Sequence, residues 1–208
     1  MIISLVGVHG VGKTRTARVL AKVYNFKHRS IEAIDSAYGL DPVSRQLMFL
    51  SVYVKRFLDI HREWLSSPNC NIVVDSHPLL VLPYTEYWLM NAGLERREIN
   101  DIISGMTTLI KRLPKVDAIV YISPTNIYTV LKRISIRNHF NIAEELKRNY
   151  VEFIDSWLKS KGIEIMKEIA KTTLTIPAEW NGNYRAAEIV RRLNISTRPR
   201  PLDGDGEG

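Results

Sequence analysis

Gly7-Val8-His9-Gly10-Val11-Gly12-Lys13-Thr14 matches the pattern G-x-x-x-x-G-K-S/T at every fixed position. The chemistry of that spacing is anion binding. Glycines let the backbone turn so that successive N–H groups converge on one anion. A helix that follows adds its own unpaired amides and the positive end of its dipole. Lys13 then reaches the outer phosphates of a triphosphate as a point charge, and the Thr14 hydroxyl suits Mg2+. Gly7, His9, Gly10, Val11, Gly12, Lys13 and Thr14 are the candidate nucleotide-binding residues, with Thr14 also a candidate metal ligand.

A second tier lies far along the chain. Asp75 follows Ile72-Val73-Val74, and a carboxylate directly after a buried-type strand is expensive unless something pairs with it. Next to a phosphate loop it suits two roles, holding Mg2+ or acting as base on an acceptor hydroxyl. The competing reading is a cap on the following turn. His77 is as well explained by stabilising that turn as by touching a substrate. Arg133 and Arg137 stand at i and i+4 in Leu131-Lys132-Arg133-Ile134-Ser135-Ile136-Arg137. On a helix they share a face, and two guanidinium groups there suit a migrating phosphoryl group. An exposed basic helix face is the alternative.

These residues need a frame. Ile2-Ile3-Ser4-Leu5-Val6 reads as a strand, and residues 13–23 as a helix with Ala17, Leu20, Ala21 and Tyr24 on one face. Residues 26–31 read as a short polar strand and 37–42 as a loop. A long helix is expected over 43–65, where Leu47, Leu50, Val54, Phe57, Leu58 and Leu65 recur at helical spacing. Strands are expected at 71–75, 117–122 and 172–177. Helices are expected at 85–91, 94–113, 126–137, 143–161 and 183–193, with Pro78 and Pro83 interrupting what precedes the first of them. Strands alternating with helices predict an α/β fold: a three-layer P-loop sandwich with a parallel sheet of about five strands and helices on both faces. Ligands on such sheets bind beyond the carboxyl ends of the strands. That rule gathers residues 7–14, Asp75 and Ser123-Pro124 along one edge.

The bulk properties set limits. At 208 residues the chain is expected to form one domain over 1–196, with room for a small helical insert, and a flexible tail at 197–208. Apolar residues make up 45% and charged residues 25%, enough for a core. No apolar run approaches the roughly 20 residues of a membrane span, and the immediate start of the first strand argues against a cleavable signal. The single cysteine, Cys70, excludes an internal disulfide and fits a cytoplasmic setting. The net charge of +7 is spread over short pairs such as Arg96-Arg97 and Arg191-Arg192. Small polyphosphates fit that scatter better than nucleic acid does.

Residues 130–158 resemble the lid region of the deoxynucleoside kinase and thymidylate kinase group, which implies a helical lid over about 126–145. That group carries an R-I-x-x-R core followed by acidic residues and an aromatic helix ending near Trp-Leu. Here Arg133-Ile134-Ser135-Ile136-Arg137 is followed by Glu144-Glu145 and then by Tyr150 and Trp157-Leu158. The strand ending in Ser123-Pro124 resembles the group's pre-lid strand. Asp41-Pro42 with Arg45-Gln46-Leu47 resembles its substrate helix, whose glutamine bonds the base. The resemblance implies ATP and Mg2+, with Lys13, Asp75, Arg133 and Arg137 as catalytic residues and Gln46, Arg56 and Asp75 facing the acceptor, near Tyr53. It also implies Asp75 beside Thr14 at the metal, and a homodimer through the long helices. The chain departs from the group at Ser76, where an arginine is usual, and near Asn138-His139, where a further lid arginine is expected. Glu32 and Asp35 both remain candidates for the glutamate after strand two.

The expected function is ATP-dependent phosphoryl transfer to a small-molecule acceptor, a nucleoside or nucleoside monophosphate. An NTPase or switch acting with a protein or nucleic-acid partner is the alternative. An N-K-x-D guanine motif is absent from the sequence.

Overall fold

A computed structural model describes residues 1–31, 39–136 and 148–196. In it, β1 (Ile2–Val6) is buried at every position, and α1 (Lys13–Tyr24) follows the glycine loop directly. The remaining strands are β2 (Lys27–Ser30), β3 (Ile72–Asp75), β4 (Val116–Ser123) and β5 (Ala170–Pro177). Together they form one parallel sheet in the order β2-β3-β1-β4-β5. Parallel strands covered on both faces read as continuous apolar runs, as β1, β3 and β4 do. β2, Lys-His-Arg-Ser, does not, and it sits at the sheet edge. Adjacent β1 and β3 send their connections opposite ways, β1 to β2 at one edge and β3 to β4 on the far side of β1. That is the switch point where such sheets open a crevice.

The helices between the strands are α2 (Pro42–Ser66), α3 (Val81–Asn91), α4 (Arg96–Lys111), α5 (Ile127–Ile136), α6 (Arg148–Trp157), α7 (Ile163–Ile169) and α8 (Gly182–Arg192). Local chemistry sets several of their starts. Asp41 caps α2, accepting from the amides of Val43 (3.0 Å) and Ser44 (3.1 Å), with Pro42 at the first position. Asn181 caps α8 through the Tyr184 amide at 2.8 Å. Helices α1 and α8 pack together along the sheet. α3 is the hub of a larger group, meeting α2, α4 and α6, with α7 beyond α4.

The structure corrects four expectations about elements. α3 begins at Val81 after a 3-10 turn over Pro78–Leu80, so Pro83 lies inside its first turn, where a missing N–H costs little. A five-residue π-helical stretch, Leu158–Gly162, leads into α7, which the sequence reading left out, and β5 starts at Ala170. On α2 the inward residues are Gln46, Leu50, Phe57, Ile60 and His61, while Leu47, Leu58 and Leu65 face solvent. On α1 the buried set is Thr16, Ala17, Leu20 and Val23, one step around from the face expected. Among the described residues no helix is long and apolar enough to cross a membrane.

Two buried carboxylates tie the helical layer together. Glu86 on α3 accepts from the Trp157 indole at 2.7 Å and is paired with Lys161 (3.1 Å) and Arg96 (3.0 Å). Asp155 on α6 accepts from the Tyr121 hydroxyl at 2.5 Å and pairs with Lys159 at 2.6 Å. Burial and the Asp155 carboxylate push the Tyr121 phenol well above its ordinary value, so it stays a donor.

Candidate active site

The glycine loop leaves β1 with positive φ at Gly7 (149°), Gly10 (79°) and Gly12 (94°). Space forbids side chains there as well. A Cβ on Gly7 would lie 2.6 Å from the Ile122 carbonyl oxygen, and one on Gly10 would lie 2.7 Å from Ile134 Cγ1. The loop is therefore pressed between the end of β4 and helix α5. Lys13 Nζ donates to the carbonyls of Gly7 (2.8 Å) and Val8 (3.0 Å), folding the lysine over the loop that its own helix follows.

Gly10 and Gly12 form a wall between two cavities. One, of about 240 Å³, is lined on the loop side by His9, Lys13 and Thr14, and opposite by Ser30, Ile31, Tyr53, Asp75, Ser76, Leu80 and Tyr84. Asp75 ends β3 in register with Leu5 and Ser30 and is buried. Ser76 after it holds φ at 114°, a region where non-glycine backbone costs on the order of 1–3 kcal/mol and which clusters at working sites. His77 is wholly buried. Its Nδ1 accepts from the Leu79 amide at 3.0 Å, and burial depresses it to about 3, so it is a neutral turn cap that does not line this cavity.

The other cavity, of about 380 Å³, is lined by Arg15, Arg133, Ile136, Glu179, Trp180, Asn181, Gly182 and Arg185. Arg133 Nη1 donates to the Ala178 carbonyl at 2.9 Å. Arg185 is 2% exposed; its Nη1 donates to the carbonyls of Val11 (2.5 Å) and Ala178 (3.2 Å), and its Nη2 to that of Gly12 (3.3 Å). Burial, then the charges of Arg133 and Arg15, lower Arg185 to about 10. Burial would raise Glu179, but the amides of Thr125 (2.9 Å) and Asn126 (3.1 Å) outweigh it and keep the carboxylate ionised. A third and larger cavity, about 630 Å³, opens beside Tyr24, Lys27 and Cys70 and contains no residue of the loop. Its size does not connect it to this chemistry.

The structure therefore brings Lys13, Thr14 and Asp75 to one cavity, and Arg133 to the other. Arg137 lies outside the described residues, as do Glu32, Asp35, Asn138, His139 and Glu144-Glu145. Gln46 is buried with its amide oxygen accepting from the Thr85 hydroxyl at 3.2 Å, and it lines neither cavity. Arg56 is exposed on α2 and also lines neither. Tyr53, one turn before it, does reach the Asp75 cavity. The Thr14 hydroxyl and the Asp75 carboxylate, both lining this cavity, are the hard oxygen donors that Mg2+ takes. Sequence reasoning missed Arg185, Arg15 and Tyr84. Arg185 had left one signal: with Gly182, Ala186 and Ile189 it falls on the inward stripe of α8.

Comparison with known proteins yields fold likeness only. No protein-family model matches the sequence, and no curated protein sequence matches it. Among solved structures, the deoxyadenosine kinase from M. mycoides with bound dCTP aligns with a TM-score of 0.70 at 16% identity, covering 93% of this chain and 99% of that one. The same enzyme with the products dCMP and a flexible dCDP gives 0.68 at 16% identity and the same coverage. With bound dATP it gives 0.67 at 15%, covering 93% of this chain and 100% of that one. Five parallel strands in the order 2-3-1-4-5, a glycine loop at the switch point and this likeness over nearly the whole chain give one result: the protein has the fold of the P-loop deoxynucleoside kinases.

Proposed function

We propose that this protein is a kinase that transfers the γ-phosphoryl group of ATP to a hydroxyl of a small acceptor, a nucleoside or nucleoside monophosphate. The observation that carries the reading is the glycine wall with a cavity on each side. One side is rich in arginine, and the other holds a buried carboxylate beside Lys13 and Thr14. A hydrolase or switch also keeps a carboxylate near its phosphate loop for Mg2+; a separate cavity on the Asp75 side, across the loop from the arginines, is what an acceptor needs.

In this reading ATP lies with its phosphates along Gly10–Gly12 and its base toward Trp180, while the acceptor enters on the Asp75 side. Asp75 takes the proton of the acceptor hydroxyl as its oxygen attacks phosphorus. The bond from the γ-phosphorus to the bridging oxygen breaks, and ADP leaves. Lys13 and the lid arginines Arg133 and Arg137 offset charge on the transferring group. Thr14 would hold Mg2+ directly and Asp75 would reach it only through water, and the ion when bound neutralises phosphate charge. The body from 1 to 196 acts as one unit, with the lid over about 126–145 excluding water that would otherwise consume ATP.

The test is to supply Mg·ATP with a panel of deoxynucleosides, nucleosides and their monophosphates, and to measure ADP formed against an acceptor-free control. Acceptor-dependent ADP with a phosphorylated product supports transfer. Hydrolysis indifferent to every acceptor would remove it in favour of an NTPase.

A further inference from the structure

The buried arginine of α8 touches neither the acceptor cavity nor any carboxylate within ion-pair reach among the described residues. Its hydrogen bonds go to carbonyls, and two of them belong to the glycine loop: Val11 at 2.5 Å and Gly12 at 3.3 Å. In a trans peptide the C=O and the following N–H point in opposite directions. Holding the Val11 carbonyl toward Arg185 turns the Gly12 amide away from it, and holding the Gly12 carbonyl does the same to the Lys13 amide. Those amides begin α1 and are the donors a phosphate at a helix N-terminus uses. The packing is tight on this side: a Cβ on Gly12 would sit 2.5 Å from Arg185 Nη2.

Charge points the same way. A guanidinium that is 2% exposed is held by neutral acceptors, with its Nε lacking a partner. Arg133 shares the Ala178 carbonyl with it. The acid whose charge acts on it, Glu179, is engaged with the amides of Thr125 and Asn126. A buried cation without a counter-charge is costly, and the loop it braces is built for an anion.

We propose that Arg185 is a positioning residue of the nucleotide site: from behind the glycine loop it orients the Gly12 and Lys13 amides toward the phosphates, and the polyphosphate supplies its missing counter-charge. The inference rests on the nucleotide reading of the loop, but it extends to a residue outside the P-loop pattern.

The test uses inorganic tripolyphosphate on the whole protein, with no acceptor and no turnover, so it does not depend on the kinase reading. Calorimetric titration gives Kd for wild type, Arg185→Met and Arg185→Lys, alongside the thermal midpoint of each with and without ligand. Arg185→Met is expected to weaken tripolyphosphate about tenfold or more, the loss of one charge-assisted interaction. Arg185→Lys keeps the charge in nearly the same volume without the fork, and should lose a few-fold. With ATP as substrate, the same variants should raise its KM and leave the acceptor KM unchanged. A purely structural arginine would lower the ligand-free thermal midpoint while leaving Kd at the wild-type value, and a folded Arg185→Lys or Arg185→Met that binds as wild type overturns the proposal. Wild-type protein that ignores tripolyphosphate would overturn it together with the loop reading. Acceptor-independent turnover with the expected Kd series would overturn only the transferase.

Discussion

Alanine at Gly10 and alanine at Gly93 make a matched pair. Both glycines hold nearly the same positive φ, 79° and 80°, so both variants bear a positive-φ penalty of roughly 1–2 kcal/mol. Their surroundings differ. A Cβ on Gly93, just past the end of α3, meets nothing within 4 Å. A Cβ on Gly10 would lie 2.7 Å from Ile134 Cγ1, 3.1 Å from Val130 Cγ1 and 3.1 Å from the Val130 carbonyl oxygen. Ile134 is 4% exposed and Val130 is fully buried, so α5 must shift to admit the methyl, at about 1–3 kcal/mol for overpacking. Urea denaturation should show Gly93→Ala destabilised by about 1–2 kcal/mol and Gly10→Ala by about 2–5 kcal/mol. Tripolyphosphate binding should survive the first substitution and fail in the second. Equal destabilisation of the two would refute the claim that the loop is wedged against α5, leaving backbone conformation as the whole effect.

Other substitutions test separate parts. Lys13→Ala should leave the fold intact and lower turnover by on the order of a hundredfold or more, measured as ADP release; unchanged turnover would mean the loop is misread. Asp75→Asn should retain ATP binding and lose about 10²–10⁴-fold in transfer, by single-turnover assay. Glu86→Gln should destabilise the fold by about 1–3 kcal/mol, because the Trp157 bond becomes neutral while half-exposed Lys161 and Arg96 can turn to water. The Glu86 defect should also depend on pH. Burial works to raise that carboxylate, but bonds from Trp157 and Lys161 and the charges of Lys161 and Arg96 outweigh it and lower it below the ordinary 4.5. A lowered folded value adds stability above the unfolded value and loses it as pH falls through the folded one. The gap between wild type and Glu86→Gln in thermal melts should therefore be full at pH 7 and close below about pH 4.5. A gap unchanged down to pH 3 would show that the ionised form is not what Trp157 and Lys161 hold.

What was legible in the chain follows from how local each signal is. β1, the glycine loop and α1 are contiguous, and turn chemistry, apolar run and helix start all sit within two dozen residues. β3 and β4 read as strands because both faces are covered. Asp75 stood out because a charge ends an apolar run. Gln46 and Arg56 were assigned by resemblance, with Tyr53 near them; in the structure Gln46 bonds Thr85, Arg56 is exposed, and Tyr53 lines the cavity. The faces of long helices are set by what packs on them, which is why Leu47, Leu58 and Leu65 read as core and lie outside it. α7 was hidden because Gly162 reads as the end of the preceding helix, whereas a π-helical stretch carries the chain through it into α7 and straight on into β5. Glu86 and Arg185 carry no local mark of burial beyond their helical phase, since their partners come from elements far away in sequence.

The central position of β1 also bears on how the chain is made. The strand that emerges first from synthesis is the one with neighbours on both sides. Ile3 pairs with Val73 on β3 and with Ala118 on β4, and neither exists until much of the chain has followed. Five wholly buried residues must therefore remain without their ladder while the intervening segments appear. Contacts of such long sequence separation are slow to form, and unpaired strand edges in partly made chains attract others. The nascent protein is most exposed to misassociation before residue 123 is free to fold, and a translational pause placed upstream of β4 would lengthen that interval.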